Sequence, residues 1–201
     1  MKQDDILPVV RVVIARHNES VDWITAIPED YEIYISNSGT DPVSIPKKAK
    51  HLIRIIDTRN SGREAGHWLR YIVDNYNNLT DVTIFLQGTP NVGHTADILF
   101  NIERNDIKEP FGYITSTDLQ YRKMEGRGRS MIQEAVGRSY KIVPQATGGV
   151  WGGQHYVSKN VLLSNPKEYY ADILTYSETD KFAHNLEHAY NCVYGIPPKT
   201  I

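Results

Sequence analysis

The stretch from Asn60 to Pro90 constrains the fold of this chain more than any other. A polar, glycine-containing loop, Asn60-Ser-Gly-Arg-Glu, opens a segment in which Ala65, Trp68, Leu69, Ile72, Val73 and Tyr76 recur at helical spacing. A short loop then enters the apolar run Val82-Thr-Ile-Phe-Leu, which stops abruptly at Gln87-Gly-Thr-Pro. A helix with one apolar face that returns the chain to an apolar strand is a crossover of an α/β sheet. Polar residues at the carboxyl end of such a strand stand where these sheets bind ligands. Ser61 and Glu64 have the spacing of a capping box, which predicts that this helix starts on the Ser61 hydroxyl. Glu64 then either caps the helix or meets a ligand. Arg63 suits the first turn less well, because the helix dipole favours acids there, and this marks it as a candidate for binding an anion.

Three more runs precede this unit. Pro8 to Ala15 is β-branched throughout and reads as a buried strand. Tyr31 to Ser36 alternates as a second strand, and His51 to Ile56 is a third. Between the first two, Ser20 is placed to cap a short helix carrying Val21, Trp23, Ile24 and Ile27. Four β segments in the first 90 residues argue for a mainly parallel sheet. The expectation is an α/β fold: a single domain over residues 1–201 with a central sheet, flanking helices and an irregular second half.

That second half is expected to hold a helix over 95–105, a strand over 111–115 and a basic stretch over 120–138 whose Gly-Arg-Gly-Arg, with Arg127 and Arg129, is a mobile loop. A glycine-punctuated strand follows over 148–158. Asn165, Pro166 and Glu168 carry the N-cap, first-turn proline and third-position acid of a helix start. A last helix from Asp180, its N-cap, buries Phe182, Ala183, Leu186, Tyr190 and Val193.

The bulk numbers exclude several classes. A net charge of -2 gives no reason to expect nucleic acid or an acidic membrane as partner. One cysteine, Cys192, excludes an internal disulfide and a multi-cysteine zinc site, and it reads as a packed thiol. No apolar run approaches the ~20 residues of a membrane span, and Met-Lys-Gln-Asp-Asp lacks a signal-peptide core. The expectation is a soluble, cytoplasmic protein. The 13 Tyr against 4 Phe suit half-buried walls, where a ring packs and a hydroxyl stays wet.

Three stretches together resemble the family catalogued as domain of unknown function 3431. They are Val13-Ile-Ala-Arg-His-Asn-Glu with Trp23; Asn60-Ser-Gly-Arg-Glu-Ala through Phe85-Leu-Gln-Gly; and Gly153-Gln-His-Tyr-Val-Ser with the helix from Pro166 and a late Glu187. That family in turn resembles glycosyltransferases of the GT-A type. The resemblance implies a nucleotide-binding half over 1–93 and an acceptor-side half over 94–201. It implies a nucleotide-sugar donor and a carbohydrate or other hydroxyl acceptor. The donor would meet Arg16, His17, Asn18 and Glu19 after the first strand, and Asn60, Gly62 and Arg63 before the helix. Gln87 would line the donor site, and Trp151, Gln154, His155 and His188 the acceptor side. Glu187 would be the base and Arg63 a second catalytic group.

Enzymes of that type carry Asp-x-Asp after the fourth strand to hold a divalent cation, Mn or Mg. This chain has Gln87-Gly-Thr-Pro-Asn there, and neutral carbonyls are weak ligands. Arg127 and Arg129, with Arg122, would then neutralise the leaving diphosphate, or Asp118 would hold the cation. Two alternatives stand beside this reading. One is a carbohydrate- or nucleotide-binding domain without catalysis. The other is a metal-dependent hydrolase using His155, Asp118 and the His184-Asn-Leu-Glu-His188 helix pattern.

Overall fold

In the computed structural model the described residues are 7–90, 110–114, 153–178 and 189–196, the backbone of 122–124 and 147–149, and Leu99, Ile102, Ala183 and Leu186. The β-branched runs form the middle of a six-stranded sheet. β1 is Val10–Arg16, with Val12, Val13 and Ile14 wholly buried. β2 (Glu32–Asn37) and β4 (Val82–Gln87) lie parallel to β1 on either side. β3 (Ile53–Asp57) extends β2 and is an edge strand, with Ile55 and Ile56 about two-fifths exposed between Arg54 and Asp57. β8 (His155–Ser158) pairs antiparallel with β4, and β5 (Phe111–Tyr113) antiparallel with β8. The order across the sheet is β3-β2-β1-β4-β8-β5. The expected α/β fold with a mainly parallel sheet is present, with one antiparallel strand inside it.

Continuous apolar runs follow from cover on both faces. On one face Val13, Ala15, Tyr34 and Phe85 pack under α1 (Arg63–Asn75), which supplies Trp68, Leu69 and Ile72. The same cluster takes in Tyr170 and Ile173 of α3 (Lys167–Ser177) and Tyr190 and Val193 of α4 (Tyr190–Val193). On the other face Val12, Ile14, Ile33, Ile35, Ile84 and Leu86 meet Val21, Ile24 and Ile27. The last three belong to or flank a short 3-10 helix, Asp22–Ala26. A four-residue α2, Lys159–Leu162, follows β8 directly and is capped by Ser158. The Cys192 thiol is buried and free, and burial pushes it up to about 12, which makes it the inert packed thiol expected.

The chain order fixes the functional geography. After β1 the chain moves outward through β2 to β3, then α1 carries it back across to β4 on the other side of β1. The connections therefore part between β1 and β4, which is the topological switch point of an open α/β sheet. The four parallel strands end at one edge in Arg16, Asn37, Asp57 and Gln87, and the first three are aligned partners.

Several local expectations are corrected. The Ser61–Glu64 capping box does not form: the N-cap is Gly62, without a side-chain cap, and the Ser61 hydroxyl instead accepts from Arg70 at 3.1 Å. Ser20 accepts from the Asp22 amide at 3.1 Å, but it leads into a 3-10 helix whose N-cap is Val21. Asn165 does not cap α3, whose N-cap is Pro166; the Asn165 carbonyl accepts from the Tyr76 hydroxyl instead. The expected strand over 148–158 is two strands in two sheets. β7 (Thr147–Gly149) pairs antiparallel with β6 (Arg122–Met124), whereas β8 enters the main sheet after Gly153 at φ +59°. Arg122 therefore lies in a strand and not in a loop. Among the described residues no helix is long and apolar enough to cross a membrane.

Candidate functional site

The polar residues converge at the carboxyl edge around β1, β2 and the first turns of α1. Arg16 is buried, with Nε donating to the Glu19 carbonyl at 2.8 Å. Its Nη1 donates to Asn37 Oδ1 at 2.5 Å and to the His17 and Asp41 carbonyls at 3.1 Å. Asn37 in turn donates to Asp57 Oδ1 at 2.8 Å. This ladder spans three strand ends and braces the turn after β1. It assigns Arg16 to the frame of the site, where the sequence had suggested a donor contact. Asn18 is exposed and its Oδ1 accepts from the Asp41 amide at 3.0 Å, which holds the neighbouring loop.

Glu19 sits closer in. Its Oε2 accepts from the His17 amide at 2.6 Å and lies against Gly88 at the end of β4, where an added Cβ would stand 2.5 Å from it. Trp23, half-buried, donates from Nε1 to the Gly88 carbonyl at 2.9 Å. Glu19, Gly88 and Trp23 thus meet at the switch point itself.

Beneath them lies a pair that sequence reasoning missed. Ser36 Oγ and His67 Nδ1 are hydrogen-bonded at 2.7 Å, and both residues are buried. Burial is the main reason the imidazole is held down to about 4, with the nearby Arg70 adding to the effect and Glu19 opposing it. A signal for this pair exists. Tyr34 and Tyr71 touch edge-on at 4.9 Å between β2 and α1. Two residues along a strand span roughly 6.6 Å and four along a helix roughly 6 Å, so the next rung of that ladder is Ser36 with His67. One helical turn further out comes Arg63, beyond the strand ends.

Arg63 is exposed and has φ +49°, the left-handed region that a non-glycine residue occupies at a cost. Gly62 beside it, at φ +76°, is required twice over, because a side chain there would also press within 2.9 Å of Gly66 and 3.1 Å of Ser177. Asn60 is exposed in the same loop. Behind the loop, Glu178 at the end of α3 takes Arg59 and, at 3.4 Å, Arg70, tying α1 to α3. Arg63→Gly is expected to raise unfolding free energy by up to about 1 kcal/mol, because relief of left-handed strain exceeds the entropy glycine adds to the unfolded chain. Urea titration against Arg63→Ala checks this, since alanine keeps the strain. Equal stabilities for the two variants would refute it.

The remaining candidates divide. Gln87 receives the Gln154 Oε1 on its backbone amide at 3.0 Å, and Gln154 Nε2 reaches the Pro90 carbonyl at 3.2 Å. Gln154 is buried, so it staples the segment after β4 to β8 and does not face an acceptor. His155 is wholly buried, its Nδ1 on the Gly153 carbonyl at 2.6 Å and its Nε2 on the Tyr194 hydroxyl at 2.8 Å. It stacks on Tyr190 at 4.2 Å, and burial pushes its ring down to about 3. His155 is therefore a neutral core residue, not an acceptor-side contact or a metal ligand, since both ring nitrogens are taken. Glu187, His184, His188, Arg127, Arg129, Trp151, Asp118 and Asp180 lie outside the described residues. Among the described residues no group of three or more His, Cys, Asp or Glu is placed to hold a metal.

A family model described as protein of unknown function (DUF3431) matches residues 12–111, the span from within β1 through β4 to the first residue of β5, with both strand ends of the switch point. The chain belongs to that family. No curated protein and no solved structure matches it. The family match thus covers His17, Glu19, Trp23, Ser36, Arg63, His67 and Gly88, the residues that stand together at the carboxyl edge.

Proposed function

We propose that the protein is a GT-A-like glycosyltransferase that moves a sugar from a nucleotide-sugar to an acceptor hydroxyl, with its donor at the β1/β4 switch point. Arg63 carries this reading. An exposed, non-glycine residue held in the left-handed region beyond the carboxyl edge of the sheet is strain of the kind that functional sites retain. The residue stands one helical turn beyond His67, past the strand ends, where a diphosphate would meet an arginine suited to its phosphate oxygens. A carboxylate, Glu19, and an aromatic ring, Trp23, flank the same point and suit a ligand with hydroxyls and an apolar ring face. In the reaction a base, Glu187 in this proposal, takes the acceptor proton while the acceptor oxygen bonds to the anomeric carbon. The nucleoside diphosphate leaves with the bonding pair, and its charge is met by Arg63 with Arg127 and Arg129, or by Mn or Mg on Asp118.

The test is a thermal-shift panel of ADP, GDP, UDP and CDP with and without manganese, followed by turnover of nucleotide-sugars. At least one diphosphate should raise the melting temperature. Arg63→Ala should remove most of that shift while leaving the melting temperature of the free protein unchanged. A wild-type protein indifferent to every nucleotide would end this reading. A second reading, a binding domain without catalysis, is favoured by Gln87-Gly in the place of Asp-x-Asp; binding without turnover would select it.

A further inference from the structure

We infer that Glu19, Gly88 and Trp23 form a recognition site for a vicinal diol at the β1/β4 switch point. The inference rests on the nucleotide-sugar reading only for which diol is bound. Glu19 is partly buried, and among the described residues its carboxylate has no cationic partner. Among the described residues the carboxylate's one hydrogen bond comes from the His17 amide, at 2.6 Å on Oε2. An ionised carboxylate accepts through both oxygens and donates nothing, so lone pairs on Oε1 remain for a ligand that brings hydrogens. Two adjacent hydroxyls on a sugar ring supply two donors at the spacing of the two oxygens.

The surroundings select the rest of the ligand. Gly88 has no side chain where one would collide with the carboxylate: a Cβ would stand 2.5 Å from Oε2 and 2.8 Å from Cδ. The glycine thus leaves the carboxylate seated at the end of β4. Trp23 is anchored through Nε1 to the same residue's carbonyl at 2.9 Å, which fixes a half-buried indole beside the acid. An aromatic face packs against the C–H side of a sugar ring while a carboxylate takes its hydroxyls, so the pair reads both surfaces of one ring. Two diols are available in a nucleotide-sugar, that of the ribose and that of the transferred sugar.

Isothermal titration separates them. The probes are ADP, GDP, UDP and CDP, their 2′-deoxy counterparts, UDP-glucose, GDP-mannose and free glucose and mannose, each against wild type and Glu19→Gln. The amide keeps the His17 bond but loses the charge, and its melting temperature should match wild type. If the ribose is bound, wild type should prefer the ribonucleotide by roughly tenfold or more, and Glu19→Gln should bring that ratio close to one. If the transferred sugar is bound, the deoxy forms should bind as well as the ribo forms. Glu19→Gln should then weaken the nucleotide-sugars by a similar factor relative to the diphosphates. Gly88→Ala, which displaces the carboxylate, should reproduce either pattern. A Glu19→Gln protein that binds every probe as wild type does overturns the inference while leaving the nucleotide reading intact. If wild type binds no nucleotide, the nucleotide reading falls. Free glucose or mannose then decides: binding lost in Glu19→Gln sustains the diol site, and no binding overturns it.

Discussion

Trp68→Ala is expected to cost about 3–5 kcal/mol, the largest loss of any single truncation on α1. The indole is wholly buried. Its ring lies 5.9 Å from Phe85, 5.6 Å from His155 and 5.5 Å from Tyr190, so it joins β4, β8 and α4 at one point. Its Nε1 donates to the Leu86 carbonyl at 3.2 Å. Removing it opens a cavity that three separate elements would have to close together, and a well-packed interior does so only in part. Against the roughly 5–15 kcal/mol of an ordinary domain, such a loss leaves the protein close to unfolding. Trp68→Phe keeps a ring and loses the N–H, so it should cost about 1–3 kcal/mol. Urea unfolding at neutral pH measures both. A loss below about 1 kcal/mol for the alanine variant would show that α1 does not depend on this contact.

The features read correctly from sequence are those with a local period. β1 announces itself by an unbroken β-branched run, and α1 by Ala65, Trp68, Leu69 and Ile72 at helical spacing, because burial on two faces or on one stripe leaves that imprint. The misreadings share a cause of the opposite kind. Ser61 and Glu64 satisfy a capping pattern, but the Ser61 hydroxyl is taken by Arg70, two turns into the helix, and Gly62 sets the start instead. Arg16 has the sequence context of a ligand contact. Its acceptors are its own chain's Glu19, Asn37 and Asp41, and which acceptors surround a strand end depends on pairings far away in sequence. His155 was expected on the acceptor side or as a metal ligand, but β8 inserts beside β4 and buries it. An antiparallel strand between two others carries no local mark of where it will insert. The switch point itself was legible as a strand ending in Gln87-Gly. Its chemistry was not, because the Glu19–Gly88–Trp23 meeting joins two loops some 65 residues apart.

The stability of the fold should fall steeply on acidification from near-neutral pH, and two buried histidines set the window. His155 is held near 3 and His67 near 4, against an ordinary 6.5, chiefly by burial. Both are depressed bases, so the folded protein keeps them neutral while the unfolded chain protonates them. Their contribution is complete above about pH 6.5 and is lost as pH falls from there toward 4 and 3. In the middle of that window each histidine removes up to roughly 1.4 kcal/mol per pH unit. Around His155 stand Trp68, Phe85, Phe111, Tyr113, Tyr190 and Tyr194, none charged in this range, and burial outweighs the Gly153 carbonyl, which alone favours the charged ring. His67 faces Ser36, Arg70, Glu19 and His17, and only Glu19 favours its charged form. Urea unfolding at pH 7, 6 and 5 should therefore show a marked fall in stability. His155→Phe keeps a ring in the aromatic cluster and removes one of the two titrations. It should be less stable at pH 7, where the Tyr194 hydroxyl loses its partner, yet lose only about half as much per pH unit on acidification. Parallel pH profiles for the variant and the wild type would show that the acid sensitivity comes from elsewhere than the buried imidazole.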